Sequence, residues 1–547
     1  MSGADAIDTE IIRGALVAAA EEMSVTIWRT SRSSVVREIL DYSTCVFDAD
    51  GFSVAQAARM PVHLNSMASC LRDLVDEHLP LAEWDDGDIV MTNDPYSGGQ
   101  HLPDVLTFMP VFVDGERVAI AGILVHHQDV GGGAPGSYDA GATEVFQEGI
   151  CFPPVKVVRR GLRNEDLIKT FLRNTREPEN VGGDFESQLA ALTVGARALA
   201  GLARRYGSER LAAACTRIQA QSEEAMLAAI DAMPDGEFYF EDQVDDDGLG
   251  DGPIAIRCQL SVQGQHLAVD LSASADQVSG PVNCTRNMAS SAVVCAVLMS
   301  IGQEIPANAG CYRAVHIVTR PGSVVHARRP AAVANRMAVG HRVVNCVMGA
   351  FAQALPQAVP ACYYGVSYAY ALQAYCEDGS RPVYFDLECG GWGAHPTADG
   401  ANGFSCGFHN VANSPVEMIE QDYPITFTAY GLLANSGGPG RYRGGLGLVR
   451  EFRLDAPSGK FAANLDRFKI PPYGLAGGGA GRPGRLFLKS ADGTVTELGS
   501  KVRGIAVERG DSLRLETAGG GGHGDPALRE PDAVTRDLVA GYVTEGD

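Results

Sequence analysis

The chain has 547 residues, of which 45% are hydrophobic and 20% charged; this composition is typical of a soluble globular protein and excludes a fibrous or disordered one. Its length suggests two to four domains with a large buried interior. The formal net charge of -23 is spread along the chain, so nucleic acid and anionic membranes are poor partners, although solubility alone explains such a charge.

Cysteine usage and the N-terminal segment indicate the cellular compartment. The 13 cysteines include no CxxC pair, which argues against a disulfide framework or a thiolate zinc site. The first residues are acidic and lack the features of a secretory signal. The most apolar run, residues 291–301, is shorter than the ~20 residues that span a bilayer. We therefore expect a cytoplasmic protein without a membrane segment.

The sequence pattern in the first half of the chain predicts helices and hairpins. Apolar residues at helical spacing predict an amphipathic helix over residues 8–28. The short segments TCVF and FSVA around the turn DADG (48–51) predict one hairpin. VLTFMPVF (105–112) and RVAIAGILV (117–125) around the turn VDGE (113–116) predict another. Residues 186–232, rich in Ala, Leu, Arg and Glu, predict two or three consecutive helices.

A Pro/Gly/Asp cluster between Pro234 and residue 253 is the best candidate for a domain boundary. Beyond it, two alternating segments predict strands and a buried helix follows over 288–301. From about residue 380 the chain is rich in glycine, which we interpret as tight turns in β-rich structure. The prediction is an α+β fold with a portion bearing the functional site (1–235) and a strand-rich C-terminal portion (236–547).

Histidines and aspartates stand at both outer ends of the second predicted hairpin, in TNDPYSGGQHLPDV (92–105) and LVHHQDVGGG (124–133). If Asp114-Gly115 is the turn, facing residue numbers sum to about 229, so Asp104 lies opposite Val125 and one residue from His126. Neighbouring strands are ~4.8 Å apart, so His126 and Asp104 come within reach of one metal ion.

His101 precedes Asp104 by three residues, and Pro103 favours a loop that aims both side chains at one point. Because side chains alternate along a strand, only one of His126 and His127 shares a site with Asp104.

Mixed imidazole and carboxylate ligands suit zinc, manganese or iron, and the absence of nearby cysteine disfavours a closed structural zinc site. An open, catalytic metal site is the resulting hypothesis. The alternative is that these residues are capping aspartates and hydrogen-bonded histidines in turns.

Several strings in the same order resemble the hydantoinase B family over nearly the whole chain. That family includes B-type subunits of ATP-dependent N-methylhydantoinase, 5-oxoprolinase and caprolactamase, and the metal-bearing subunits of acetone and acetophenone carboxylases. The strings are VREILDYSTCVFDADG (36–51), PVHLNSM (61–67), GDIVMTNDPYSGGQHLPDV (87–105), HHQDVGG (126–132), FQEGICFPPVKV (146–157), DLSASADQVSGPVN (270–283), NLDRFKIPPYGLAGGGAG (464–481) and GGGGHGDP (519–526).

The resemblance implies one divalent metal ion held by four residues of this sequence, namely Asp41, His101, Asp104 and His126. Asp41 depends on the resemblance alone. We expect zinc in a hydrolase and manganese in a carboxylase, with iron as another candidate. His127 and Asp129 are candidate catalytic residues that orient ligands or move protons, and turn capping beside Gly131 is the alternative role for them.

The sequence contains no GxxxxGK[ST] motif, so its glycine runs lack the lysine and hydroxyl that bind nucleotide phosphates. In the family that this chain resembles, ATP is used by a separate A-type subunit similar to actin or sugar-kinase ATPases. We therefore expect a hetero-oligomer in which the partner phosphorylates a cyclic amide and this chain hydrolyses the activated product. Four cations, Arg286, Arg336, Arg467 and Lys469, are candidate contacts for that intermediate, but surface or salt-bridging roles explain each more simply.

Three other functions remain open at this stage. One is the metal subunit of an ATP-dependent ketone carboxylase, which the chain length favours less than amide hydrolysis. Another is a non-catalytic assembly subunit that orders the ATPase partner. The last is a stand-alone metallohydrolase that needs neither ATP nor a partner.

Overall fold

A computed structural model describes residues 3–544 except 251, 303 and 406, and it does not describe the side chains of residues 3–5 and 58. It shows a mixed α+β protein with several separate sheets, as predicted. In the described part of the chain no helix is both long and apolar enough to cross a membrane.

The N-terminal half is built on one antiparallel sheet of seven strands. The strands are β1 (Tyr42–Phe47), β2 (Ser53–Ala58), β3 (Ile89–Thr92), β4 (Asp104–Val113), β5 (Glu116–His126), β6 (Val155–Arg159) and β7 (Leu162–Arg163). Their order in the sheet is β2-β1-β5-β4-β3-β6-β7, so β5 lies between β1 and β4. Both predicted hairpins are confirmed: β1 pairs with β2, and β4 pairs with β5.

Helices cover this sheet. They are α1 (Gly3–Thr30), α2 (Ser34–Arg37), α3 (Ser66–Asp73), α4 (Glu165–Arg173), α5 (Pro178–Tyr206) and α6 (Ser208–Asp231). Helix α5 packs on β4 and β5, and Gln188 anchors it by donating to the carbonyl of Val105 (2.9 Å). Helix α1 approaches α5 closely at Gly195, where an added Cβ would lie 2.2 Å from the sulfur of Met23. The predicted helices over 8–28 and 186–232 are therefore confirmed.

The register of the β4–β5 hairpin differs from the prediction by one residue. Near the turn the pairing is as expected, with Phe112 opposite Arg117. A bulge follows, because Val111 faces Ala119 and leaves Val118 as an extra residue in β5. Every later pair is shifted, so that Asp104 lies directly opposite His126 instead of Val125.

The C-terminal half contains three further sheets. Its strands are β8 (Gly236–Val244), β9 (Ile254–Gln263), β10 (His266–Asp270), β11 (Val315–Val318), β12 (Ala369–Tyr375), β13 (Val383–Leu387), β14 (Ile425–Leu432), β15 (Leu448–Leu454), β16 (Ser458–Asn464), β17 (Arg485–Lys489), β18 (Val495–Leu498), β19 (Lys501–Glu508) and β20 (Ser512–Glu516). The sheet orders are β11-β10-β9-β8, β13-β12-β16-β19 and β14-β15-β20-β17-β18.

The helices of this half are α7 (Arg286–Ile301), α8 (Ala309–Arg313), α9 (Arg336–Ala354), α10 (Val416–Asp422) and α11 (Pro531–Val539). Helix α9 is central, because it packs on α7, β8 and β9 and every residue from Arg336 to Ala352 is buried. The sequence of such a helix lacks a continuous polar face, because every side of the helix packs against other parts of the protein. Residues 245–253 connect β8 to β9, which pair with each other. The division at residue 235 stays a prediction.

Most glycine-rich segments of the C-terminal portion are not tight turns, which corrects the sequence interpretation. Gly520 donates its amide to the carbonyl of Gly445, and Gly438 donates to Gly520, so separate segments bond backbone to backbone outside the four sheets. None of these three glycines has a positive φ. Glycine is required there because neighbouring backbones approach too closely for any side chain.

Replacing Gly520 by alanine is expected to destabilise the protein by about 3 kcal/mol or more, because overpacking against fixed backbone cannot relax. An added Cβ would lie 2.0 Å from the carbonyl oxygen of Trp392. Urea unfolding measures the effect. The matched control is Gly499→Ala, since Gly499 is exposed and has no atom within 4 Å of the added Cβ. Equal stability of the two variants would contradict this account of the glycine-rich segments.

Candidate metal centre

Three of the predicted residues meet at the end of the seven-stranded sheet. Asp104 begins β4, His126 ends β5 directly opposite it, and His101 lies in the loop that leads into β4. One potential ligand atom from each of the three residues lies within 4.8 Å of the other two, close enough to share one ion, and all three side chains are buried. We call these three residues the metal cluster.

The loop before β4 is held in place by its own polar residues. Asn93 donates from its side chain to the carbonyls of Leu102 (2.7 Å) and Ile150 (2.9 Å). At Gly99 an added Cβ would lie 2.7 Å from the carbonyl oxygen of Asp94, so the chain folds back tightly on itself. A backbone bond from Asp104 N to His101 O (3.1 Å) closes the turn that brings both side chains to one point.

Asp41 lies beside the metal cluster but is not one of its members. Its backbone carbonyl accepts a hydrogen bond from the amide of His126 (3.1 Å), and this bond continues the β1–β5 ladder. Because β5 lies between β1 and β4, Asp41 and Asp104 flank the backbone of His126 from opposite sides. The carboxylate of Asp41 lies 3.7 Å from His63 Nε2. Burial, together with the nearby charge of Asp104, raises the pKa of Asp41 to about 8. A bound cation would favour its ionised form.

His63 is a residue that the sequence reasoning missed. Its Nδ1 bonds to the hydroxyl of Ser43 (3.0 Å), and its Nε2, which is directed at Asp41, has no hydrogen-bond partner among the described residues. Burial lowers the pKa of His63 to about 4. His63 belongs to the PVHLNSM string (61–67), and a histidine between Val62 and Leu64 was the available signal.

The protonation states of the metal cluster suit a cation. Burial lowers the pKa of His101 to about 4, so its imidazole is neutral at pH 7 and keeps a lone pair. Burial alone would raise the pKa of Asp104, but His101 and Arg336 outweigh it and hold that pKa well below its usual value. Both ring nitrogens of His126 are buried and have no hydrogen-bond partner in the part of the chain that the structure describes, which is costly unless a ligand binds there. The donor set therefore fits a divalent ion.

Aromatic side chains and one arginine close the site. Phe385 of β13 stacks on His126 with ring centroids 5.6 Å apart, and Tyr138 meets His101 edge-on at 5.8 Å. Arg336, the first residue of α9, donates from Nη2 to Asp104 Oδ2 (2.8 Å). The apolar walls exclude water and strengthen electrostatic interactions inside the site. These residues come from distant parts of the chain.

A second group of buried polar residues lies near the site. The Ser367 hydroxyl bonds to His409 Nε2 (2.7 Å) and to His341 Nε2 (3.2 Å). Burial, with Arg336 and His63 nearby, lowers the pKa of His409 to about 3. The sequence reasoning did not single out any of these residues.

The two predicted catalytic residues lie outside the metal cluster. His127 points to the opposite face of the sheet, as alternation requires, and meets Phe171 edge-on with centroids 5.5 Å apart. Asp129 accepts from the backbone amides of Gly131 and Gly136 and pairs with Arg176 (2.9 Å). These contacts hold the loop that follows β5, and a catalytic role for either residue stays a prediction.

Comparisons with known proteins identify the family of this chain. The sequence matches the family described as Hydantoinase B/oxoprolinase over residues 5–526. The chain belongs to this family. The resemblance found in the sequence is thereby confirmed.

Within the family, close relatives span the whole chain. The beta subunit of the caprolactamase of Pseudomonas jessenii is 31% identical, with 100% of this chain and 95% of that one covered. The B-type subunit of a putative D-/L-hydantoinase of Pseudomonas sp. strain NS671 is 30% identical, with 99% and 93% covered. 5-Oxoprolinase 1 of Arabidopsis thaliana is 30% identical over 95% of this chain but only 42% of its own length.

Solved structures show the same fold. The crystal structure of the ATP-dependent caprolactamase from Pseudomonas jessenii superposes with a TM-score of 0.91 at 28% identity, covering 98% of this chain and 94% of that one. A nucleotide-free acetone carboxylase superposes with a TM-score of 0.88, covering 98% and 78%, but at 18% identity. The second likeness therefore concerns the fold alone.

Proposed function

We propose that this chain is the metal-bearing subunit of an ATP-dependent cyclic amide hydrolase. The observation that carries the proposal is the buried metal cluster of His101, Asp104 and His126 in a chain of the hydantoinase B/oxoprolinase family. Full-length identity of 30–31% to a hydantoinase subunit and a caprolactamase subunit favours amide substrates over ketones. The acetone carboxylase likeness, at 18% identity, supports carboxylation less.

The ligands of the ion would be the three residues of the metal cluster with Asp41 as the fourth. Two carboxylates and two neutral imidazoles balance the charge of a dication, and zinc suits this donor set in a hydrolase. Such an ion supplies Lewis acidity and lowers the pKa of a bound water molecule. Asp104 is held ionised by Arg336, so it is ready to bind a cation without losing a proton.

The chain's own residues would position the reacting group and keep bulk water out. Tyr138 and Phe385 form an apolar wall against the histidine rings, which limits the orientations of a flat cyclic amide. Arg336 bonds to Asp104 Oδ2 and would offer a fixed positive charge where negative charge develops. An unstrained amide still needs activation, because its carbonyl is a poor electrophile.

That activation is assigned to an A-type ATPase partner, which would phosphorylate the amide oxygen. Two of the relatives, the hydantoinase and caprolactamase chains, are each one subunit of a larger enzyme, which supports a hetero-oligomer. Helix α1 carries exposed apolar residues suited to a protein contact, and they include Ile7, Ile11, Val17, Val25 and Trp28. An activated amide decays in water, so a lasting complex is the expected arrangement.

The test is product formation by the complex copurified with an A-type subunit. We expect ring-opened product and ADP from a cyclic amide such as hydantoin, 5-oxoproline or caprolactam, detected by mass spectrometry, and no product without ATP. The His101→Ala variant should form product at least about 100-fold more slowly, because the ion loses a ligand.

Three results would contradict the proposal. Incorporation of labelled bicarbonate in place of ring opening would show a carboxylase. Unchanged turnover in His101→Ala would show that this chain assists assembly without catalysing. Ring opening without ATP or a partner would show a stand-alone hydrolase.

A further inference from the structure

Arg336 has donors that nothing in the described chain uses. Its side chain is 4% exposed, and its Nη2 donates a hydrogen bond to Asp104 Oδ2 (2.8 Å). Among the described residues Nε and Nη1 have no partner at hydrogen-bonding distance and angle. The hydroxyl of Tyr138 lies close enough for the charge and a side-chain interaction of Arg336 to oppose the rise that burial causes in the Tyr138 pKa. Buried unpaired N–H groups are rare in folded proteins because their desolvation is not compensated.

Other buried arginines show why this one is different. Arg450 also has two unpartnered nitrogens, but its guanidinium lies over the rings of Phe427 (4.7 Å) and Tyr430 (5.1 Å), whose faces accept the charge. Among the described residues no aromatic ring stacks on Arg336 in this way. Its unused donors instead stand beside the metal cluster.

A second donor and a helix end lie at the same place. Arg336 is the first residue of the 19-residue helix α9, and Asn335 precedes it without capping the helix. The amide nitrogen of the Asn335 side chain is buried and has no partner among the described residues. The N-terminus of a helix carries positive partial charge and is a common place for phosphate to bind.

Besides Asp104, which pairs with Arg336, a second buried acid lies near the start of α9. Glu148 uses Oε1 to accept the amides of Val333 and Ala334, both at 2.7 Å, just before α9. Burial raises the pKa of Glu148 to about 8, so its neutral form predominates at pH 7. Glu148 therefore adds little negative charge at the start of α9.

We propose that Arg336 and Asn335, at the N-terminus of α9, bind the phosphoryl group of the activated substrate beside the metal cluster. The identity of that group rests on the proposed function, whereas binding of a tetrahedral oxyanion does not. The planar guanidinium presents its free N–H groups in a fixed geometry that matches phosphate oxygens, which lysine cannot reproduce. Arg336 would thus contact both Asp104, a proposed metal ligand, and the phosphoryl group, which is released as phosphate after hydrolysis.

The experiment is calorimetric titration of the zinc-loaded complex with inorganic phosphate, with zinc content measured on the same samples. Arg336→Lys keeps a cation beside Asp104, so we expect unchanged zinc and phosphate binding at least about tenfold weaker. The control is Arg257→Lys, since Arg257 also pairs with a carboxylate, that of Glu241 (2.8 Å), but is partly exposed on β9. It should bind phosphate as the wild type does.

Equal phosphate affinity of wild type and Arg336→Lys would overturn the inference, because the metal ion alone would then account for binding. If Arg336→Lys does not fold, Asn335→Ala carries the test, with severalfold weaker binding expected and unchanged affinity as the contrary result. If the complex shows no ATP-dependent amide hydrolysis, the proposed function fails, but the titrations still test phosphate binding by Arg336 and Asn335. If the complex hydrolyses the amide but Arg336→Lys binds phosphate as tightly as the wild type, the proposed function stands and only this inference is rejected.

Discussion

Replacing Asp104 by asparagine is expected to abolish metal retention and to lower kcat/KM for ATP-dependent amide hydrolysis by about a thousandfold or more. Asparagine keeps the shape of the side chain but removes the charge that would bind a cation. It also leaves Arg336 without its carboxylate partner in a buried site, where Asp104 Oδ2 now accepts from Nη2 at 2.8 Å. Zinc per chain and kcat/KM of the complex are the two measurements.

Asp129→Asn is the matched control, because Asp129 is equally buried but pairs with Arg176 outside the metal cluster. We expect it to retain zinc. Retained zinc with lost turnover in a folded chain would support the catalytic role predicted for Asp129 from the sequence. Wild-type zinc and activity in Asp104→Asn would disprove the ligand assignment.

Replacing Asp466 by asparagine is expected to destabilise the protein by about 3–5 kcal/mol, because two buried cations, Arg342 and Lys501, lose their nearest carboxylate. Asp466 pairs with Arg342 and with Lys501 (2.7 Å), and all three side chains are buried. The nearby cation of Arg467, which pairs with Asp242 (2.6 Å), also favours the ionised form of Asp466. Urea unfolding at pH 7 measures the change.

Glu497→Gln is the control for this prediction, since the Arg485–Glu497 pair (2.7 Å) is exposed and its loss should leave the unfolding midpoint almost unchanged. The pH dependence gives a second check. Burial alone would raise the pKa of Asp466, but Lys501 and Arg342 hold it below the usual value. Its stabilisation is therefore present above the unfolded pKa of about 4 and lost as the pH falls further. Similar losses in both variants would refute the account of this network.

Local patterns predicted the part of the site that lies within one hairpin. Two apolar segments on either side of a DG turn identified β4 and β5, and the strand spacing brought Asp104 near His126. The register was wrong by one because a bulge at Val118 depends on packing that no turn motif reveals. The one-residue shift brings Asp104 closer to His126 than predicted, because the two residues face each other directly.

Residues from other parts of the fold could not be predicted in the same way. Arg336 and Phe385 reach the metal cluster only through the packing of α9 and β13, and one sequence contains no record of that contact. Asp41 was placed by resemblance, and the structure sets its carboxylate toward His63. The glycine runs were misread because composition does not separate turns from closely packed backbones.

Metal analysis of the purified complex, with anomalous diffraction at the zinc edge, tests the central claim most directly. We expect one ion per copy of this chain, with anomalous density bounded by His101, Asp104 and His126. A complex that hydrolyses a cyclic amide with ATP while this chain holds no stoichiometric ion, or holds it elsewhere, would contradict the account.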